Sequence, residues 1–485
     1  MKTFMKLLLV AVLIWPVLAC GDLYTGVFKN MGIILLAPPA LNDLGPLADS
    51  GSILVPRPTL ATDGHLDTTI AVYCGIDGEI SVTGHEVSGI YTQGSLDTAA
   101  GGFVFAGLDM NKTYRIIVVA RNAMGYSVKQ ATRMPYNPIA VAVYGQGGDF
   151  TTSNPNKDGI SAKSLVRPAS IAINDHGVYI ADSRNYRVLY YAGNSTEASL
   201  VYGQGGSFST AINNNGGVSA ASMSDPYSVA IYAGDVYITD PNNHRLLFFE
   251  WDSTTATRVY GQGGDFTTQA LNYPSLAESG LYIPYAIATD GVGIYIADAG
   301  NNRVLYYAGT STTATRVYGQ GGNFATSNDN KGGISASSLY YPCGLAVDAG
   351  GIYIADYQNH RVLYYEGTST TATRVYGQGA SGTNFTSNGS STSATGLNGP
   401  TGVALDASGV YIADHNNNRV LHYWGTSVTA TGVYGQGGSL TSAAINQGAG
   451  AASPTATSLY HPWGIAVYSD RVYITDWDNH RVLRY

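Results

Sequence analysis

Tyr341-Pro342-Cys343-Gly344-Leu345-Ala346-Val347-Asp348, a turn, Gly351-Ile352-Tyr353-Ile354-Ala355-Asp356, a second turn, Asn359-His360-Arg361-Val362-Leu363-Tyr364-Tyr365, a third turn, and Ala372-Thr373-Arg374-Val375-Tyr376-Gly377 together decide the fold. Each of the four segments is short, rich in β-branched and aromatic residues, and bounded by Gly, Asp or Asn. That is the pattern of antiparallel strands joined by tight turns. The apolar residues stand at consecutive rather than alternate positions, so both faces of the resulting sheet are expected to be buried.

The same stretch recurs along the chain. Gly145, Gly203, Gly261, Gly319, Gly377 and Gly435 each follow Val-Tyr, at intervals of 58 residues (203 − 145 through 435 − 377). A second mark falls at Asp182, Asp240, Asp298, Asp356, Asp414 and Asp476, and a third at Arg187, Arg245, Arg303, Arg361, Arg419 and Arg481. A repeat of this length is one supersecondary unit copied and stacked. The array begins with a lone outer strand, Ala142-Val143-Tyr144-Gly145, and ends at Arg481-Val482-Leu483-Arg484-Tyr485 without one. The first strand can therefore complete the last blade and remove the exposed edges of an open array, giving a six-bladed ring over residues 140–485.

Pro342 to Asp348 and Tyr353 to Val362 resemble the NHL repeat, which reads Pro-x-Gly-(Ile/Val)-Ala-Val-Asp and then Tyr-(Ile/Val)-Ala-Asp-x-x-Asn-x-Arg-Val. The Asp-x-x-Asn-x-Arg spacing is kept in all six copies, whereas Ala169-Ser170, Tyr227-Ser228 and Tyr285-Ala286 replace the x-Gly in the first three. The resemblance implies a β-propeller. Some propellers of this kind are enzymes, including amidating lyases and lactonases that hold a metal at the channel mouth, and others bind nucleic acid through a basic face.

Ahead of the array, Lys2, Lys6 and the apolar run Leu7–Val17 form a targeting segment too short to span a membrane. It ends in Val17-Leu18-Ala19-Cys20, which resembles a bacterial lipobox. That resemblance implies a signal peptide over residues 1–19 and a lipid on Cys20; a plain secretory signal is the alternative. Residues 20–50, with Pro38, Pro39 and Pro46, suit a tether. Residues 51–136 carry short alternating strands, and Leu108 to Tyr114 followed by Val119 to Ser127 resembles the tyrosine corner of a fibronectin type III-like β-sandwich. Export permits a disulfide, but Cys74 and Cys343 fall one in each domain and are read as unpaired.

The net charge of −8, with 12% charged residues, gives no footprint for nucleic acid. Six ring-related Asp-Arg turns point to scaffold rather than to one asymmetric catalytic site. His244, His360 and His480 share a slot in alternate copies, but it opens the third strand from the axis. With strands about 4.8 Å apart, that is roughly 10 Å beyond the channel wall, too far for three imidazoles to converge on a metal. Asp290, Asp348 and Asp406 end innermost strands, where they could gather Ca²⁺ or simply initiate hairpins. Asn154-x-Asn156-x-Asp158-Gly159 resembles the opening of an EF-hand, but Leu165 stands where its closing carboxylate belongs.

The residues after each leading proline are Ala169, Tyr227, Tyr285, Cys343, Thr401 and Trp463, none of them a hard-metal ligand, and no Ser-His-Asp set stands out. The long loops between blades vary most. Aromatics cluster there at Tyr227, Tyr282, Tyr285, Tyr340, Tyr341, Tyr460 and Trp463, which reads either as a contact surface for a protein or glycan ligand or as interblade packing. The expectation is a lipid-anchored, extracytoplasmic binding module of the cell envelope that is not an enzyme and carries no cofactor or metal. The alternative is a metal-dependent lyase or lactonase-type enzyme using the channel.

Overall fold

The structure, a computed structural model, describes residues 139–485 apart from 470 and, before them, nine strands between residues 53 and 133. The signal segment, Cys20 and the tether lie outside the described residues, as does the expected corner over 108–113. In the N-terminal unit, Thr69–Ile76 pairs antiparallel with Tyr114–Asn122 within a four-stranded sheet. Gly102–Phe105 belongs to a separate three-stranded sheet.

Residues 140–485 form six four-stranded antiparallel sheets. Their innermost strands, Pro168–Asn174, Val229–Tyr232, Pro284–Thr289, Pro342–Asp348, Pro400–Asp406 and Pro462–Tyr468, adjoin in a closed ring. Ala142, Val143 and Tyr144 pair with Arg484, Leu483 and Val482, so the first strand completes the sixth blade as its spacing predicts. Second strands such as Gly177–Asp182 are buried along their whole length, because each sheet is packed on both faces. The cores lie between neighbouring blades: Tyr353, Val362 and Tyr364 of blade four pack with Val403, Ile412 and Leu421 of blade five. At every junction an outermost-strand tyrosine meets a ring of the next blade at an edge, as in Tyr260–Tyr307 (5.3 Å) and Tyr376–Tyr423 (5.1 Å).

The Asp-x-x-Asn-x-Arg turns are the polar skeleton. One oxygen of each Asp accepts the amide of the residue 16 positions earlier (Val166, Ser224, Tyr282, Tyr340, Asn398, Tyr460) at 2.6–2.8 Å. The other accepts from the Asn amide and the Arg Nε, as at Asn359 (2.8 Å) and Arg361 (2.8 Å) on Asp356. The guanidinium then donates to loop carbonyls on both sides of its blade; Arg361 reaches Ser335, Ser338 and Phe385. All six Asp-Arg pairs are fully buried, and every guanidinium nitrogen among them has a hydrogen-bond partner, which is the condition for tolerating charge in a core.

The Asp-x-x-Asn-x-Arg spacing suggests the Asn as the residue that takes the turn conformation, and the structure differs. The left-handed turn residue is not the Asn, whose amide is occupied, but the residue after it: Tyr186, His244, Asn302, His360, Asn418 or His480, with φ of 51–55°. This explains the alternating histidines. Nδ1 of His244, His360 and His480 accepts the amide of Ile283, Gly399 and Arg167 in the next blade (3.4, 3.0 and 3.2 Å). Oδ1 of Asn302 and Asn418 does the same for Tyr341 and His461 (both 2.9 Å).

Candidate functional site at the upper channel mouth

The loops, the leading prolines and the Asp turns share one end of the ring, here called the upper face. All six residues just before a leading proline have left-handed backbones: Arg167, Asp225, Ile283, Tyr341, Gly399 and His461, with φ of 51–66°. For a β-branched residue such as Ile283 this is costly. Five of the six amides are fixed by the His or Asn clamps from the preceding blade, and the sixth, Asp225, follows Tyr186, which offers no such acceptor.

The residues after the prolines line a cavity of about 100 Å³ at the axis. That holds a few waters and falls below the roughly 300 Å³ of ordinary small-molecule sites. The ring around it is uneven. A Cβ at Gly344, Gly402 or Gly464 would fall on the carbonyl of Thr401, Trp463 or Ala169 in the next blade, so these strands touch backbone to backbone. Where the first three copies replace that glycine, side chains fill the space. The hydroxyls of Ser170 and Ser228 accept the amides of Val229 and Ile287 in the next blade (3.4 Å each).

The aromatics gather on the mouth. Tyr227 is buried, with its ring 4.5 Å from Tyr285, 5.4 Å from Trp463 and 5.4 Å from Trp477. Tyr285 and Trp463 are half-buried in the same cluster, and Tyr341 meets Tyr285 at an edge (5.5 Å), hydroxyl to hydroxyl at 3.4 Å. Burial pushes the phenols of Tyr227 and Tyr285 well up. Tyr282, Tyr340 and Tyr460 are half-buried at the periphery, beside the turns rather than in the cluster. Their amides are held by Asp298, Asp356 and Asp476, and the rings of Tyr282 and Tyr460 rest on His244 (5.3 Å) and His461 (4.6 Å).

Around the aromatics stands a set of charged and imidazole groups that sequence reading missed. Asp478 accepts from Arg167 Nε at 3.0 Å and pairs with His461 Nδ1 at 2.7 Å. Burial alone would raise the Asp478 carboxyl, but His461 and Arg167 together hold it below its usual value. His461 stacks on His415 (4.6 Å, 19° between planes), whose imidazole is pushed down to about 4 by burial and by His461. Across the mouth Arg184 pairs with Asp225 at 3.0 Å. Asp225 is almost wholly buried and pushed up to about 6 by burial, with one carboxylate oxygen lacking any partner. The missed signal lies in two slots, the residue before the proline and the residue after the turn Asp, where Tyr357, His415 and Trp477 stand in successive copies.

Other candidates resolve into scaffold. Asp290, Asp348 and Asp406 each accept two amides of their own hairpin. Asn156 exchanges amide hydrogen bonds with Asn185 (3.0 and 2.8 Å). A Ser408–His422 contact of 3.0 Å does exist beside Asp406, but the serine proton goes to Asp406 (2.5 Å), so His422 can only donate to that hydroxyl. Cys74 and Cys343 are free, buried thiols, both pushed up by burial. Among the described residues no three His, Cys, Asp or Glu side chains converge as metal ligands would.

Residues 339–365 and 459–485 match the NHL repeat. The chain carries NHL repeats. They are folded as a six-bladed β-propeller, as the spacing and the ring closure indicate. No curated protein matches the sequence. Solved structures similar to this chain include a Myxococcus xanthus glutaminyl cyclase (12% identity, 53% of this chain and 87% of that one, TM-score 0.31). They also include the PQQ-bound aldose sugar dehydrogenase of Streptomyces coelicolor (10%, 67% and 95%, 0.39). A third is a putative 6-phosphogluconolactonase of Bacteroides uniformis (11%, 74% and 93%, 0.33). At these identities the likeness is one of fold alone.

The expectation that this NHL-repeat chain is not an enzyme is corrected by these likenesses. Propellers similar to it in fold include a cyclase, a dehydrogenase and a putative lactonase, and the fold by itself decides neither for nor against catalysis. The physical reason is that function lies in sites grafted on a shared fold.

Proposed function

We propose that the upper face of the propeller is a protein-binding surface, and that the chain displays it outside the cytoplasm from a lipid on Cys20. One observation carries the reading. Trp463, Tyr285, Tyr341 and Arg167 cluster over buried Tyr227 and Trp477 at one mouth of a rigid ring, at positions where the six copies differ. Trp, Tyr and Arg are the residues that dominate protein–protein hot spots, and the channel cavity beneath is too small to take a ligand of ordinary size. Arg167, Arg184, Asp225 and Asp478 supply charge of both signs around the aromatics, the arrangement of an apolar centre with a polar border. The test is capture of a cross-linked partner from envelope extracts by the mature protein and by Tyr285→Ala/Trp463→Ala. Loss of one specific band in the variant supports the reading; an unchanged pattern overturns it. Labelled palmitate incorporated by the wild type and not by Cys20→Ser tests the anchor.

The His461–Asp478 pair favours a second reading. A carboxylate on Nδ1 fixes the tautomer and leaves Nε2 as a proton acceptor, as general-base chemistry requires. Turnover of chromogenic esters or lactones that His461→Asn abolishes, with the fold intact, would establish it.

A further inference from the structure

The lower face, opposite the mouth, departs from its repeat in copy two. In copies one, three, four and five the hairpin after the third strand opens with a left-handed glycine (Gly193, Gly309, Gly367, Gly425; φ 52–57°). Its amide donates to a carbonyl of the inner hairpin (His176, Val292, Gly350, Ser408) at 2.7–2.9 Å. Copy two has Trp251 there. A second change accompanies it: Gly177, Gly293, Gly351 and Gly409 correspond to Asp235, whose carboxylate now accepts the Trp251 amide at 2.9 Å. The left-handed residue moves one place on, to Asp252 (φ 67°). Two compensating replacements thus install a tryptophan that the fold does not use, since its side chain is more than half exposed.

Trp251 rests on Gly234, where a Cβ would strike its ring, and faces His176 at 5.6 Å. With Ile173, Ile231 and the exposed Tyr232 they line a groove of about 510 Å³ between blades one and two. This is the size range of ligand sites. The amide and acidic side chains at the groove are engaged: Asn174 accepts the His176 and Gly177 amides, the Tyr468 hydroxyl donates to Asp175, and Asp235 holds the Trp251 amide. Both carboxylates accept from neutral donors, and no lysine or arginine lines the groove to hold an anion.

We infer that this groove binds an uncharged oligosaccharide, with a sugar ring stacked on Trp251 and its hydroxyls facing His176 and Tyr232. Aromatic side chains with a polar tip suit a ligand whose faces are C–H and whose edges are hydroxyl. The site is separate from the upper mouth and does not depend on what binds there.

The test titrates the mature protein with cellotetraose, chitotetraose and maltotetraose, following tryptophan emission and calorimetric heat. The key variant is Trp251→Gly/Asp235→Gly, which restores the pattern of the other copies and therefore keeps the fold. Saturable binding of at least one oligosaccharide, weakened tenfold or more in that variant and unchanged in Trp463→Ala, is the expected result. Binding equally strong in the double variant, or no binding by any of the three, overturns the proposal.

Discussion

Blades four to six and blades one to three solve the same packing problem by different means. In the first group Gly344, Gly402 and Gly464 let each innermost strand press its backbone against the next. In the second, Ser170 and Ser228 bridge the gap through hydroxyl-to-amide hydrogen bonds, and Ala286 fills it with a methyl. The looser half is where Tyr227 and Tyr285 enter the mouth and where Trp251 stands on the opposite face. Identical copies would make a symmetric ring with nothing to recognise. The comparison teaches that the departures are confined to positions that the polar skeleton does not use.

The skeleton itself should not distinguish the halves, and breaking it carries the largest expected effect. Asp298→Ala in blade three and Asp414→Ala in blade five each strand a buried guanidinium and a loop amide. Each is expected to cost about 3–5 kcal/mol, read as a lower midpoint in urea unfolding. Unequal losses of more than about 2 kcal/mol between the two would mean that the halves differ in more than their inner strands.

The inner strands come next. Gly402→Ala drives a methyl onto the Trp463 carbonyl and is expected to cost about 1–3 kcal/mol or more, as overpacking does. Ser170→Gly only loses one long hydrogen bond to Val229 and gains backbone freedom, about 1 kcal/mol. Reversal of that order in thermal melts would break the distinction drawn above.

The ring was legible in the sequence because its signals are periodic. Gly145 and its five counterparts mark a place where a Cβ would meet a buried Leu or Met of the following loop and, in five of the six, the carbonyl of the left-handed turn residue of its own blade, so the requirement shows as spacing. The mouth was only half legible. Tyr227, Tyr285 and Trp463 were found because they follow the prolines, but Trp477, His415, His461, Arg167 and Asp478 come together from chain positions up to 311 residues apart. No local pattern announces that meeting. It follows from ring closure, which brings blade six against blade one. Trp251 was overlooked for the opposite reason, since a single aromatic in a turn looks like noise until its partner Asp235 is seen.

The alternating clamps give a pH test of smaller size. His244, His360 and His480 accept amides through Nδ1 and are lowered by burial below the ordinary histidine value. The unfolded chain therefore binds more protons in the acid range. Stability from these clamps is full above the ordinary histidine pKa and is lost as pH falls toward the folded values. Replacing all three with Asn, the residue that blades three and five carry, is expected to leave the melting temperature at pH 8 nearly unchanged. It should also flatten the decline between pH 7 and pH 5. An equally steep decline in the triple variant would assign the acid sensitivity elsewhere, with buried His415 and His422, both pushed down to about 4, as the remaining candidates.

The smallest effect is expected where the copies already show it. Tyr191, Tyr307, Tyr365 and Tyr423 bury hydroxyls that find no hydrogen-bond partner, while blade two has Phe249 in the same place and packs it against Tyr202 at 5.1 Å. The edge contact between blades thus needs the ring and not the oxygen. Tyr307→Phe removes a desolvated polar atom without opening a cavity and should be neutral or stabilising by about 1 kcal/mol, seen as an equal or higher urea midpoint. A loss instead would mean that the hydroxyl is served by a bound water, and blade two would then be the exception among the junctions rather than the demonstration that these four tyrosine oxygens are dispensable.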